Sequence, residues 1–124
     1  MKVLVTGNTG YVGSIMTEML LEKKLDVLGI DVNFFPQDFM PVMNSIETIT
    51  KDIRDLNEND IQGCDAIFHL AGLSNDPLGQ LNPSLTNDIN FNATIHLAKL
   101  SKKVGVKKFI FSSSCSTYGA NDNI

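Results

Sequence analysis

Apolar and polar positions along this 124-residue chain alternate between two periods. KVLVT, residues 2–6, is a short β-branched run without polar alternation, bounded by Gly7. Such a run fits a strand buried on both faces. Over residues 11–24 the period lengthens. Val12, Ile15, Met16, Met19 and Leu20 fall on one helical face, with Glu18, Glu22 and Lys23 elsewhere, which predicts an amphipathic helix. DVLGID at 26–31, ETITKDI at 47–53 and DAIFHLAG at 65–72 are the next predicted strands. Residues 33–45 hold two prolines and no clean period, so they read as a loop or partly ordered connection. A weak short helix is expected over 55–61, with Gly63 past its end, and a loop over 72–81. Asn82 then caps and Pro83 opens a long helix, the expected order at a helix start. Its predicted buried stripe is Leu85, Ile89, Ala93, Leu97 and Leu100. Gly105 ends it near Lys102 and Lys103, which suit the negative helix end. VKKFIF, 106–111, is the fifth predicted strand.

Strands alternating with helices over short connections imply parallel βαβ units with right-handed crossovers. The predicted fold class is α/β, a Rossmann-like doubly wound parallel sheet in the order 3-2-1-4-5, stopping after the fifth strand. A crevice is expected at the carboxyl ends, between strands 1 and 4.

Composition narrows the function classes. Apolar residues make up 43% and charged residues 19%, ordinary for a globular domain with a real core. A formal charge of -4 gives no attraction to nucleic acid or to an anionic membrane. The opening MKVLVTGNTG has glycine and polar residues where a signal peptide needs its apolar stretch. No apolar run approaches the roughly 20 residues of a membrane span. Cys64 and Cys115 lack metal-ligand spacing. No metal site is expected, and the two are read as reduced thiols of a cytoplasmic protein, with a disulfide between them as the lesser alternative.

Candidate chemistry begins at TGNTGYVG, residues 6–13. Gly7 permits a tight turn, Gly10 removes a side chain where a pyrophosphate would approach, and Gly13 lets the helix pack closely. The helix start supplies free N–H groups and a positive field. There is no GK[ST] ending, which argues against a nucleoside-triphosphate loop. Asp31 ends the second strand 24 residues beyond Gly7, the place for a carboxylate on both ribose hydroxyls of adenosine. It would repel a 2′-phosphate, which favours NAD over NADP. Asp52 closes the third strand, where it either accepts from an adenine amino group, with Ile53 flanking the ring, or serves as a turn or cap residue. In HLAG, 69–72, Ala71 and Gly72 are small where a cofactor lies against backbone. His69 reads as a hydrogen-bonded structural histidine before it reads as a base. His96 reads as an ordinary helix residue.

These motifs resemble the extended short-chain dehydrogenase/reductases, in their NAD-dependent nucleotide-sugar epimerase and dehydratase branch. The resemblance covers essentially the whole chain. TGNTGYVG is similar to that family's TGxxGxxG, Asp31 to its ribose ligand, and Asp52-Ile53 to the start of its adenine motif. HLAG is similar to its strand-4 signature, and Asn90 in DINFNAT to the helix asparagine near the nicotinamide. FIFSSSCSTYG resembles its strand-5 segment, which places Ser114 at the catalytic serine or threonine. The resemblance implies a catalytic role for Ser114. It implies NAD contacts at Gly7, Thr9, Gly10, Tyr11, Val12, Gly13, Asp31, Asp52, Ile53, Leu70, Ala71, Gly72, Asn90, Ser112 and Ser113. Ser112 and Ser113 are equally readable as hydroxyls that satisfy a strand end.

The implied activity is epimerisation or dehydration of a nucleoside-diphosphate sugar through a transient 4-keto intermediate, by a homodimer in the full-length form. The family's Tyr-x-x-x-Lys pair does not occur here. Tyr11 and Tyr118 have no lysine four residues on, and Tyr118 belongs to the YG of the strand-5 motif. The chain is therefore expected to be the amino-terminal part of a larger enzyme and inactive alone. A net NAD(H)-dependent oxidoreductase of the same fold and a non-catalytic dinucleotide-binding protein remain as alternatives.

Overall fold

The computed structural model describes residues 1–34, 46–74, 81–114 and 119. Expectations for 35–45, for 75–80 of the loop expected over 72–81, for Cys115 and for Tyr118 lie outside the described residues. Five strands form one sheet: β1 (Lys2–Thr6), β2 (Asp26–Asp31), β3 (Glu47–Thr50), β4 (Ala66–His69) and β5 (Lys108–Phe111). Their order is β3-β2-β1-β4-β5, every pair parallel, as the alternating pattern predicted. The register pairs Thr6 with Ile30 and His69, Asp31 with Thr50, and His69 with Phe111. All carboxyl ends therefore open on one edge.

Two helices cover opposite faces. Helix α1 (Tyr11–Glu22) lies over a core that includes Val3, Val5 and Val27. The other face, with Leu4, Leu28 and Ile67, packs against α2 (Glu58–Ile61) and the long helical run, of which Ile61, Ala93 and Leu97 are buried. That run has three segments: α3 (Pro83–Asn87), a π segment (Asp88–Asn92) and α4 (Ala93–Val104).

Several local expectations need correction. The buried residues of α1 are Gly13, Ser14, Thr17 and Leu20. Val12, Ile15 and Met19 of the predicted stripe are exposed. Small residues win here because the helix must start directly from the turn, close to the sheet. Their hydroxyls bond within the helix, Ser14 Oγ to Tyr11 O at 2.9 Å and Thr17 Oγ1 to Gly13 O at 2.8 Å, so they can be buried. In the long run, Ala93 and Leu97 are buried as predicted, but Leu85 is exposed. The π segment adds a residue to the turn and shifts the helical phase there. Strand β3 stops at Thr50; Asp52 then caps a 3₁₀ turn over Ile53–Asp55, and the helix expected over 55–61 shortens to α2. Gly105 ends α4 at φ 84, as its position predicted.

Candidate functional site

The turn from β1 into α1 lies at the open edge of the sheet. Gly7 has φ 74, and a Cβ there would stand 2.8 Å from Ala71 N. Both conformation and crowding against the end of β4 require glycine. A Cβ at Gly13 would lie 2.0 Å from Gly7 O, so this glycine lets the helix pack on the turn itself. A Cβ at Gly10 would make one tight contact, 3.3 Å to Gly7 O, and would meet no other atom of the described residues within 4 Å. Gly10 is the N-cap of α1; no side chain caps the helix, and its first turn has no acidic residue. The free N–H groups and positive end of α1 are thus left for an anion. Tyr11 and Val12 open this first turn and are exposed.

Asp31 stands against the turn. Its Oδ2 accepts from Thr9 N–H and its Oδ1 from Asn33 N–H, each at 3.0 Å. Two amides hold the carboxylate in place, and its remaining lone pairs can still accept. Asp52 behaves as the capping alternative anticipated. Its Oδ1 accepts from Arg54 N at 2.9 Å and Nε at 3.0 Å, and Oδ2 accepts from Nη2 at 2.7 Å. The Arg54 side chain, chiefly through these bonds, holds the Asp52 carboxyl below its ordinary range. Ile53 was expected to flank a ring, yet only 6% of it is exposed and it packs in the core.

At the end of β4 a hydrogen-bond chain crosses the molecule. Thr94 Oγ1 donates to Asn90 O at 2.9 Å, so it accepts from His69 Nε2–H at 2.9 Å. His69 Nδ1 is then an acceptor, taking the Thr6 hydroxyl at 2.7 Å, while Thr6 Oγ1 accepts from Ala71 N–H at 3.3 Å. His69 is fully buried, against Phe109 and Phe111 with ring centroids at 6.0 and 5.7 Å. Burial pushes its pKa down to about 4. A neutral imidazole locked at both nitrogens fits the structural role expected for it. Asn90 carries the chain to the loop after β4: its Oδ1 accepts from Leu73 N and its Nδ2 donates to Leu73 O, both at 2.8 Å. The Asn90 amide is therefore occupied in fixing the loop rather than standing free. Gly72 is small for the same reason, since a Cβ there would lie 3.1 Å from Asn90 Oδ1. Leu70 continues the pairing of β4, its N–H donating to Thr6 O at 3.2 Å.

Ser112 N–H donates to His69 O at 3.2 Å and extends the β4–β5 pairing; Ser112, Ser113 and Ser114 are exposed at the same edge. The structure thus brings together the turn, Asp31, Asp52, the Leu70–Gly72 stretch, Asn90 and the three serines along one edge. Thr6, Thr94 and Arg54 went unnoticed in the sequence. A threonine ending a strand or lying within a helix carries no periodic signal; only pairing with His69 gives it meaning. His96 is more than an ordinary helix residue, since its Nε2 bonds Leu56 O at 2.8 Å. Among the described residues no cluster of three or more His, Cys, Asp or Glu could hold a metal, and no helix is long and apolar enough to cross a membrane.

Comparison with known proteins agrees with this arrangement. The profile of the NAD dependent epimerase/dehydratase family matches residues 3–124. A UDP-glucose 4-epimerase of Klebsiella pneumoniae is 33% identical over 137 residues, covering 100% of this chain and 96% of the relative. A UDP-glucose 4-epimerase of Cyamopsis tetragonoloba is 30% identical over 98% of this chain, which spans only 38% of that relative's length. Among solved structures, a UDP-glucose-4-epimerase from Stenotrophomonas maltophila with bound NAD and formylated UDP-arabinopyranose superposes with a TM-score of 0.91. It is 28% identical over 99% of this chain and 40% of the other.

Proposed function

The chain belongs to the NAD dependent epimerase/dehydratase family, and from that premise we propose that its protein epimerises or dehydrates a nucleoside-diphosphate sugar through a transient 4-keto sugar. The observation that carries this reading is the Asp31 carboxylate held at 3.0 Å from Thr9 N–H, beside an uncapped helix start. The absence of a side chain at Gly10, where a Cβ would already crowd Gly7 O at 3.3 Å, suits the close approach of a pyrophosphate to backbone.

In this reading Gly7 to Gly13 and the N–H groups of Tyr11 and Val12 hold the diphosphate, and Asp31 accepts the adenosine ribose hydroxyls. Asp52 and the Ile53 backbone border the adenine. Leu70, Ala71 and Gly72 form the wall beneath the dinucleotide, kept in place by Asn90, with Ser112 and Ser113 on the nicotinamide side. Bound NAD+ supplies reversible hydride acceptance. Ser114 holds the sugar oxygen that becomes a carbonyl, as donor or acceptor, while its proton is exchanged. The sequence contains no Tyr-x-x-x-Lys to take that proton efficiently, so the 124 residues alone are proposed to lack turnover. Exposed Phe91 and Ile95, four residues apart on the long helical run, are apolar surface of the kind that subunit contacts use, which supports a homodimer. The free, buried thiol of Cys64 supports a reducing, cytoplasmic location.

The test is nucleotide-sugar turnover, followed by sugar analysis. No turnover is expected from the 124-residue chain. Turnover is expected from a form extended to include Tyr-x-x-x-Lys, and Ser114→Ala in that form should lower kcat by about 10². Sustained turnover by the short chain within about tenfold of the usual 1–10³ s⁻¹, or an unaffected Ser114→Ala variant, would refute the assignment.

A further inference from the structure

The glycine-rich turn is fastened to the sheet at three successive residues. Gly7 N–H donates to Ile30 O at 2.8 Å and Thr9 N–H to Asp31 Oδ2 at 3.0 Å. Backbone supplies both donors. The middle tie depends on a side chain. Asn8 is fully buried, and its Nδ2 donates to Thr48 Oγ1 on β3 at 3.0 Å.

Gly29 opens the way for this bond. It is the register partner of Thr48, so the two positions face the same side of the sheet. A Cβ on Gly29 would stand 2.3 Å from Asn8 Nδ2 and 2.7 Å from Oδ1. The Asn8 amide therefore occupies the volume that a side chain at 29 would fill. Asn8 Oδ1 has no hydrogen-bond partner among the described residues, which makes the Thr48 hydroxyl the polar anchor of the amide. A second asparagine repeats the pattern at the next position on that face of β3. Asn33, at φ 55, donates Nδ2 to Thr50 Oγ1 at 2.8 Å, and Thr50 is the register partner of Asp31. This outer tie is exposed to solvent.

We propose that Thr48, acting through Asn8 across the gap at Gly29, is a positioning residue for the dinucleotide site. It sets the height of the turn over β2, and so places Thr9 N–H and the helix start relative to Asp31. For its binding consequence the inference rests on the NAD reading above; for the geometry of the turn it does not.

Thr48→Val keeps the side-chain shape and deletes the acceptor, leaving the whole Asn8 amide buried without that partner. Two readouts are taken for wild type, Thr48→Val and Thr48→Ser: hydrogen–deuterium exchange of the segment carrying Gly7 to Gly10 in the unliganded protein, and NAD affinity by calorimetry. Thr48→Val should speed exchange in the turn selectively and weaken NAD by about tenfold, the scale of one lost buried hydrogen bond. Thr48→Ser should restore both. Thr50→Val, at the exposed tie, should change NAD affinity by less than about twofold. Unchanged exchange in the turn, or a serine variant as impaired as the valine variant, would overturn the proposal. Because exchange is read without ligand, it decides the matter even where wild type binds no NAD, an outcome that would instead remove the proposed function. Should Thr48→Val not fold, Gly29→Ala serves. It should weaken NAD by about tenfold with Asn8 present and add no further loss in an Asn8→Ala background, whereas additive losses would overturn the proposal.

Discussion

Acidification should weaken this fold through His69 before the ion-paired carboxylates of Asp52 and Asp65 contribute. The imidazole is buried and bonded by Thr6 and Thr94 in its neutral form, and burial lowers its pKa from 6.5 to about 4. In the unfolded chain it would take a proton near 6.5. Between those values the unfolded state binds more protons, so stability falls as pH falls. The contribution is fully present above pH 6.5, is lost progressively below it, and stops changing once the pH passes below about 4. At pH 5 the two values give a loss of about 2 kcal/mol, approaching about 3 kcal/mol at the acid limit. Asp52 and Asp65 have folded-state values held below their ordinary 3.8, chiefly by bonds from Arg54 and Lys107. Their contributions are lost at lower pH, outside the window of His69. Urea unfolding at pH 7 and at pH 5, for wild type and His69→Gln, isolates the effect. His69→Gln should be the less stable at pH 7, having lost the paired hydroxyl bonds, but its disadvantage should shrink by about 2 kcal/mol at pH 5. Parallel losses in the two proteins would refute the neutral, doubly bonded imidazole.

Two further substitutions test the turn. Gly13→Ala would drive a Cβ to 2.0 Å from Gly7 O, backbone that cannot retreat, whereas Gly10→Val meets only Gly7 O at 3.3 Å. Thermal unfolding should show a large loss for Gly13→Ala, about 3 kcal/mol or more, and a smaller loss for Gly10→Val, whose main defect should appear as lost NAD affinity in calorimetry. Asp31→Ala should narrow the preference for NAD over NADP, because it removes both a ribose acceptor and a repelling charge. It also frees the amides of Thr9 and Asn33, so both dissociation constants should be measured; an unchanged ratio would mean that Asp31 does not face the ribose.

The order of elements, the parallel sheet and the strand ends that border the candidate site were legible in the residues alone. Local chemistry suffices for these. A short β-branched run followed by a glycine turn and a helix reads as a buried strand, and in a parallel sheet each strand that ends in a polar or small residue delivers it to the same edge. Asp31, the three turn glycines and the Asn82-Pro83 helix start were legible for that reason. Tertiary structure decided what depends on contacts between distant residues. Hydrophobic period assigned Val12, Ile15 and Met19 to the inner face of α1, but close approach to the sheet selected Gly13, Ser14 and Thr17. The π segment at Asp88–Asn92 broke the phase of a stripe that looked continuous. Asp52 was readable either as an adenine contact or as a cap, and only the fold shows that Arg54 bonds both of its carboxylate oxygens. The neutral state of His69 follows from its burial in the fold, and its tautomer from Thr6, 63 residues away, and Thr94, 25 residues away. The fit of Asn8 over Gly29 depends on the register of β2 and β3, which no local pattern encodes. A side chain's type fixes which bonds it can make; only packing fixes which of them it makes.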